Sequence, residues 1–166
     1  MNWQSGMIDL KGLNDMQIFT YEKKLPDSAK VVRKTVFEEE QGFVDEFDDT
    51  DDIATHFVMY DEDKRPIATC RVFKDEADDK QAYILGRLAV CREYRHNNIG
   101  SLMMHEAEKY VRNVGGKSIA LHAQCQASGF YGKNGYVQCK EIDDEQGCPH
   151  MWMMKILDEK EWSDSI

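Results

Sequence analysis

A polar turn between an apolar strand and an amphipathic helix carries the residues of this chain whose spacing suggests chemistry. The strand ends at Val90, and the turn that follows contains Arg95 before a helix begins near Asn98. The first turn of a helix leaves backbone N–H groups unpaired, and the positive end of the helix dipole adds to their attraction for an anion. The pattern predicts an anion site suited to a pyrophosphate, and its alternative is an ordinary strand-to-helix turn.

The same segment resembles the signature of the GNAT superfamily, the acetyl-CoA-dependent N-acetyltransferases. The matching residues are Arg95, Ile99, Gly100, Leu102 and Met103. His96 and Asn98 stand where the family usually has glycine. The departure at Asn98 matters more, because that position needs a backbone conformation that glycine adopts freely and asparagine only tolerates.

Further stretches resemble the same family in the same order along the chain. A downstream pattern matches at Ala127, Phe130, Tyr131, Gly135 and Tyr136. Gln124 takes the place of the usual asparagine, which in the family contacts the pantetheine arm of the cofactor. Two segments, Val36–Gln41 with His56 and Gly147–His150, resemble a narrower ElaA-like branch. Together the matches extend over about residues 30–157.

The resemblance implies that acetyl-CoA is bound as the acyl donor. The residues that it assigns to this binding are Leu88, Val90, Arg95, His96, Asn98, Gly100, Ser101 and Gln124. The backbone N–H of Leu88 would also donate to the oxyanion of the thioester. Tyr131 would return a proton to the departing thiolate as a general acid. The alternatives are an ordinary sheet position for Leu88 and simple aromatic packing for Tyr131.

The general base is left open among several side chains. The candidates are Glu40, His56, His122 and His150, with Glu39 as a further carboxylate. Histidine titrates nearest to working pH, and a glutamate whose pKa is shifted can do the same work. Each also has an ordinary alternative, because strand histidines usually satisfy a hydrogen bond and glutamates near helix ends are usually solvated.

The elements that must position these residues alternate between strand and helix. The predicted strands are Met16–Glu22, Ala54–Tyr60, Ile67–Phe73, Ala82–Val90, Ser118–His122, Tyr136–Ile142 and Met151–Ile156. The predicted helices run from a cap at Asp27 or Ser28 to about Gln41, from Asn98 to Val114, and from Ala127 to Lys133. Gly86 inside a strand predicts a bulge or a close backbone approach.

This order predicts an α/β fold with α+β layering, in which an antiparallel meander leads into a parallel strand pair flanked by helices. The resemblance implies that the two central parallel strands, Ala82–Val90 and Ser118–His122, are splayed to admit the cofactor.

Length, charge and cysteine usage narrow the class of protein. With 166 residues, one domain over residues 1–166 is expected. A net charge of −10 disfavours nucleic acid and anionic membrane surfaces, because binding phosphate needs lysine and arginine. The chain lacks a spanning apolar run and a secretory signal, so a cytoplasmic location is expected. The five cysteines form no C-x-x-C pair and predict reduced thiols, and no metal is expected. A homodimer is left open.

One segment is strongly acidic. Nine of the fifteen residues from Glu38 to Asp52 are acidic, and none is basic. One interpretation is a set of solvated loops that keep the protein soluble. The other is that some of these carboxylates rim the acceptor site and attract a cationic amine.

The sequence therefore predicts an N-acetyltransferase that moves an acetyl group from acetyl-CoA to a primary amine of a small molecule or peptide. The transfer would occur by direct attack in a ternary complex. The alternative is a catalytically weak or inactive CoA-binding or sensor module of the same fold, and the departures at Asn98 and Gln124 keep it open.

Overall fold

The computed structural model describes residues 2–3, 15–77 and 81–157. Its strands are β1 (Asn2–Trp3), β2 (Gln17–Glu22), β3 (Thr55–Tyr60), β4 (Pro66–Lys74), β5 (Ala82–Val90), β6 (Ser118–Gln124), β7 (Val137–Gln138), β8 (Asp143–Glu145) and β9 (Cys148–Ile156). Its α-helices are α1 (Asp27–Arg33), α2 (Ile99–Asn113) and α3 (Ser128–Lys133), and a π-helix, Lys34–Glu40, continues α1. Among the described residues no helix is both long and apolar enough to cross a membrane.

The chain forms two compact units that divide β5 and α2 between them. The first unit contains the chain up to Phe73 together with Arg87–Ala107. The second contains Lys74–Gly86 and the chain from Glu108 onward. The expected single domain over residues 1–166 stays a prediction.

The first unit is built on an antiparallel meander. Its strands are hydrogen-bonded in the order β1-β2-β3-β4, followed by the second half of β5. Strand β3 is buried from Thr55 to Met59, as expected for a central strand that is covered on both faces. The helical segment packs on this sheet through Val32 and Val36, which form a buried cluster with Ala89 of β5. The cluster places the helical segment against the strand that carries Leu88 and Val90.

The second unit holds the parallel strand pair. The first residues of β5, Ala82–Ile84, pair with Ser118–Ala120 of β6, and this pairing ends at Ile84. Strand β6 also pairs antiparallel with β9 along its full length. Both β7 and β8 pair with β9. The turn after α2 is tight, because a Cβ atom at Gly116 would collide with the side chains of Val111 and Tyr83.

The predicted fold class is confirmed. The mixed sheet has an antiparallel meander and a central parallel strand pair that is hydrogen-bonded only at its beginning, and helices flank the sheet. Gly86 signalled an irregularity, and the adjacent residue Arg87 adopts a left-handed backbone with φ of 52°. The glycine therefore marks the place where the strand changes conformation, although a neighbour adopts the strained angles.

Two local predictions are wrong. Neither Asp27 nor Ser28 caps the first helix, because Pro26 is the N-cap residue and no side chain caps it. The fixed φ of proline already suits a helix start, so the side-chain cap is dispensable. The strand predicted over Tyr136–Ile142 is only Val137–Gln138 long, and a further short strand, β8, pairs with β9 from His150 to Cys148.

The acidic segment is partly a buried ion network and not only a solvated loop, which corrects the first interpretation. The guanidinium of Arg33 donates to Glu46 Oε1 over 2.9 Å and to Asp51 Oδ1 over 2.7 Å. Arg71 donates to the same Asp51 oxygen over 2.8 Å and to Asp48 over 2.7 Å. Because Arg33 and Asp51 are almost wholly buried, each charge depends on its partners to replace the water that it lost.

A third arginine extends this network to β5. Arg87 Nε lies 2.9 Å from Glu46 Oε1, and its Nη2 lies 3.4 Å from Asp48 Oδ2. Burial alone would raise the pKa of Asp51, but the hydrogen bonds and charges of Arg33 and Arg71 outweigh it and lower that pKa to about 2. We call the three arginines and three carboxylates, Arg33, Arg71, Arg87, Glu46, Asp48 and Asp51, the arginine–carboxylate network.

We expect Asp51→Asn to lower the free energy of unfolding by about 3 kcal/mol at neutral pH, because it leaves two buried guanidinium groups without a full counter-charge. Since the folded pKa of Asp51 lies below its unfolded value, its contribution is complete above about pH 4 and is lost as the pH falls towards 2. Urea unfolding from pH 7 to pH 3 should show the difference between variant and wild type shrinking. The exposed Asp49→Asn is the control and should stay within about 0.5 kcal/mol. A difference that does not depend on pH would contradict the assignment.

Candidate functional site

The turn before α2 contains two residues with left-handed backbone and leads directly into the helix. The carbonyl of Asn98 accepts the N–H of Leu102 over 3.0 Å, which makes Asn98 the residue that precedes the first helical turn. Asn98 has a φ of 61° and His96 a φ of 68°, so both are left-handed. Residues that alternate between left- and right-handed conformations turn successive N–H groups towards one concave side, and such nests bind anions.

These two residues occupy the two positions at which the sequence pattern usually has glycine. Both keep the left-handed conformation that glycine adopts without cost, and both are exposed. Gly100 and Ser101 follow in the first turn of α2 and are partly exposed. The absence of glycine therefore changes the side chains around the turn, while the left-handed backbone is kept at both positions.

Arg95 fastens this turn to two other elements of the first unit. Its Nε donates to the carbonyl of Val90 at the end of β5 over 2.9 Å. Its Nη2 donates to both carboxylate oxygens of Glu40 over 3.0 and 2.9 Å. The guanidinium of Arg95 is therefore engaged within the protein, where it holds the turn in place.

Glu40 is therefore an ion-pair partner as well as a candidate base. It lies at the end of the π-helix, and π-helical turns are frequent at functional sites. The sequence pattern singled out Glu40 and Arg95 separately, and their pairing over 55 residues of chain is visible only in the fold.

His56 is hydrogen-bonded to a member of the arginine–carboxylate network. It is almost wholly buried in β3, and its Nε2–H donates to the carbonyl of Asp51 over 2.9 Å. Burial is the main cause that lowers the pKa of His56, so the neutral ring is favoured. This surrounding gives His56 a structural part in holding the acidic segment.

Tyr131 lies on α3 within an aromatic group. Its ring contacts Phe130 edge to face at a centroid distance of 5.1 Å and lies 6.4 Å from the ring of Tyr136. The side chain is partly exposed, as an acid that reaches a substrate must be. Tyr136, by contrast, is buried and donates its hydroxyl to Glu108 over 3.1 Å. The two tyrosines of the motif thus have different surroundings.

His122 and His150 are the two base candidates that the structure brings together. They come from the neighbouring strands β6 and β9, and their rings lie 4.7 Å apart. Between them lies the carboxylate of Glu145 in β8, 3.2 Å from His122 Nδ1 and 3.6 Å from His150 Nε2. Glu145 was not predicted, because the acidic residues around it in the sequence look alike and only the β8–β9 hairpin selects it.

Comparison with known proteins agrees with this geometry. The Acetyltransferase (GNAT) domain family matches residues 24–157. The chain belongs to the GNAT acetyltransferase family. It is 35% identical to a Bacillus subtilis protein named as an acetyltransferase, over 77% of this chain and 87% of that protein. The N-acetyltransferase YjcF of Bacillus subtilis is 34% identical over 81% and 94%.

Solved structures show the same GNAT architecture. A crystal structure of an N-acetyltransferase from Lactobacillus plantarum matches with a TM-score of 0.78 and 28% identity, covering 87% of this chain and all of that chain. Escherichia coli ElaA matches with a TM-score of 0.74 and 23% identity over 84% and 99%, which concerns the fold. The predicted resemblance to the GNAT superfamily, with ElaA among its relatives, is confirmed.

We expect Asn98→Gly to bind CoA as tightly as the wild type or up to about fivefold more tightly, since glycine relieves a left-handed cost of about 1 kcal/mol. Asn98→Val should weaken binding, because a β-branched residue resists positive φ. Titration calorimetry with CoA measures both. The control is Lys64→Gly, which changes another left-handed residue, with a φ of 63° in the β3–β4 turn, and should leave CoA binding unchanged. Equal affinity in Asn98→Val and wild type would place the pyrophosphate elsewhere.

Proposed function

We propose that this GNAT-family protein transfers the acetyl group of acetyl-CoA to a primary amine of a small molecule or peptide, by direct attack in a ternary complex. The observation that carries the proposal is the turn 95–98, which keeps its left-handed residues at both former glycine positions directly before α2. The pyrophosphate would lie against the N–H groups of this turn, with Gly100 and Ser101 in the adjoining helical turn.

Acyl transfer needs alignment, a donor for the developing oxyanion and a path for two protons. In our proposal Leu88 and Val90 pair with the pantetheine arm through their backbone, and the Leu88 N–H donates to the thioester oxygen. Their strand ends at Val90, whose carbonyl Arg95 holds. Alignment of this kind can contribute on the order of 7–11 kcal/mol to lowering the barrier. Gln124, at the end of β6, would contact the pantetheine in place of the usual asparagine.

For the amine proton we favour His122 or His150 over Glu40 and His56. Glu40 is already ion-paired with Arg95, and His56 is buried beside the arginine–carboxylate network, so neither side chain is well placed to accept a proton from a substrate. His122 keeps a quarter of its side chain exposed, and His150, although almost wholly buried, lies beside it with a ring-centroid distance of 4.7 Å. The proton for the departing thiolate would come from the hydroxyl of Tyr131.

The acceptor in this proposal carries positive charge. The exposed carboxylates Asp49 and Asp52 lie outside the buried network and add to the net charge of −10. A field of this sign steers cations towards the protein and acts less at high ionic strength. We propose a cytoplasmic enzyme with such an acceptor, and the CoA-binding module without turnover stays the second candidate because of Gln124.

The proposed function predicts CoA binding and amine-dependent release of the CoA thiol. At about 100 times Kd, acetyl-CoA should raise Tm by about 5–10 °C, since binding to the native state alone contributes about 2.7 kcal/mol. Amines of different charge are screened by thiol release at low and high ionic strength. Gly100→Val should raise the KM for acetyl-CoA about 10–100-fold by blocking the close approach of the pyrophosphate, with Gly100→Ala as the smaller matched change.

The outcomes of this experiment separate the two candidates. No stabilisation by CoA or acetyl-CoA contradicts both the enzyme and the binding module. Stabilisation without thiol release for any amine supports the binding module and overturns the proposed transferase.

Tyr131→Phe should lower kcat by about 100-fold and leave the KM for acetyl-CoA unchanged. The effect lies at the lower end for a general acid, because a thiol with a pKa near ~8.5 also leaves as thiolate. The matched control is Tyr136→Phe, which removes the hydroxyl that donates to Glu108 and should lower stability with kcat retained. Steady-state kinetics of the two variants would contradict the assignment if kcat fell equally in both.

A further inference from the structure

Three side chains of the second unit converge on one point at the β6–β9 edge of the sheet. They are His122 of β6, Glu145 of β8 and His150 of β9. One ligand atom from each lies within 4.8 Å of the other two. Glu145 Oε2 is 3.2 Å from His122 Nδ1 and 3.6 Å from His150 Nε2.

The hydrogen bond on the far side of His122 sets its tautomer. Its Nε2 lies 2.7 Å from Asp143 Oδ1, and an ionised carboxylate can only accept. The Nε2 therefore carries the proton, and in the neutral ring Nδ1 carries a lone pair that faces Glu145. Trp152 stacks on the ring at a centroid distance of 5.0 Å and an interplanar angle of 24°, which restrains its rotation.

His150 is set in the same way through its other nitrogen. Its Nδ1 donates to the carbonyl of Cys148 over 2.8 Å, because a carbonyl oxygen can only accept. The Nε2 of the neutral ring then carries the lone pair, on the side where Glu145 lies. His150 is almost wholly buried, so the surrounding strands restrain this orientation.

The hairpin between β8 and β9 places Glu145 between the two rings. Its two-residue loop consists of Gln146 and Gly147, both with positive φ, at 51° and 80°. Two such residues form the turn that matches the natural twist of paired strands, so the loop length determines the strand register. The Gly147 N–H also donates to Asp144 Oδ2 over 3.0 Å. The carboxylate is thus supplied by a regular element and not by a loose loop.

When both rings are neutral, two ring lone pairs and a carboxylate oxygen face one another, and either a proton or a bound cation among them relieves their repulsion. Tetrahedral zinc with Zn–N and Zn–O bonds of about 2.0–2.2 Å requires ligand atoms about 3.3–3.5 Å apart, close to the two distances that involve Glu145. The hydrogen bonds to Asp143 and to the Cys148 carbonyl are those that histidine ligands of zinc make on their far side. Glu145 is 44% exposed, which leaves a route for the ion and room for a water ligand.

We propose that His122 Nδ1, Glu145 Oε2 and His150 Nε2 bind one divalent first-row transition ion, with zinc as the preferred member. Two imidazoles and one carboxylate suit zinc, cobalt or nickel, whereas magnesium and calcium prefer oxygen ligands. The proposal is independent of acetyl transfer. A metal ion bound here would nevertheless affect acetyl transfer, because it would occupy the lone pairs of His122 and His150, the favoured base candidates. Zinc should therefore slow the reaction.

Metal binding by the full-length protein tests this directly and without acetyl-CoA. After treatment with EDTA, the protein is dialysed against zinc chloride, and metal content is measured against magnesium chloride as the control. We expect one zinc per chain and a visible cobalt absorption spectrum typical of a tetrahedral site. His122→Ala, His150→Ala and Glu145→Gln should each weaken zinc binding at least about 100-fold, and Asp143→Asn about 10-fold.

Matched variants outside the cluster are His105→Ala, an exposed histidine of α2, and Glu141→Gln, an exposed carboxylate. Both should bind zinc as the wild type does. Circular dichroism checks that each variant folds. If a histidine variant unfolds, Glu145→Gln still tests the site, because glutamine has the size of glutamate and position 145 is partly exposed. The proposal is overturned by less than one zinc per chain at saturation, by binding that Glu145→Gln leaves unchanged, or by equal retention of magnesium.

Discussion

Arg33 is a fully charged side chain placed where almost no water reaches it, and much of the first unit is arranged to satisfy it. An unpaired buried guanidinium would cost several kcal/mol, so the chain brings Glu46 and Asp51 inward to meet it. The usual distribution of side chains is locally reversed. Nearby, Val44 and Ile53 are exposed, while Glu46 and Asp51 are buried. A segment that reads as a polar loop is therefore held in one conformation by its charges.

The same network reaches the strand that carries the proposed chemistry. Arg87 contacts Glu46 and Asp48 and precedes Leu88, whose N–H we assign to the oxyanion. At the end of the strand, the guanidinium of Arg95 donates hydrogen bonds to the Val90 carbonyl and to the Glu40 carboxylate. Charge pairing thus restrains the backbone on both sides of Leu88. This matters because a backbone donor stabilises an oxyanion only if it is held in place before the reaction.

The second unit uses polar pairing in two ways. Glu108 is buried and satisfied by Tyr136 and Lys155, both of which donate to it, so it contributes to stability. At His122, Glu145 and His150, acceptors face one another instead. Such an arrangement gains energy only when a proton or a cation arrives. Glu108 meets two donors and acts as a structural group. The cluster of His122, Glu145 and His150 brings acceptors together, which is the arrangement of the binding site that we propose.

Much of the architecture followed from periodicity and local signals. The bounds of β5 were predicted correctly from its apolar run, and Gly115 ended α2 close to where the pattern placed it. The left-handed demand at Asn98 was also visible, because a family pattern with glycine at that position implies a positive φ. Such features depend on neighbours in the chain, whose spacing the sequence displays.

Tertiary structure alone decided which charged residues meet. No local signal distinguishes the buried Asp51 from the exposed Asp49 two positions earlier, or Glu145 from the acidic residues beside it. Burial and pairing of a side chain depend on strands that are distant in sequence, such as β4 with Arg71 or β9 with His150. The sequence by itself determined the family, the order of elements and the positive φ at Asn98. Only the folded chain decided which carboxylates neutralise arginines and which one lies between two histidines, because these energies depend on distances that arise after the strands pair.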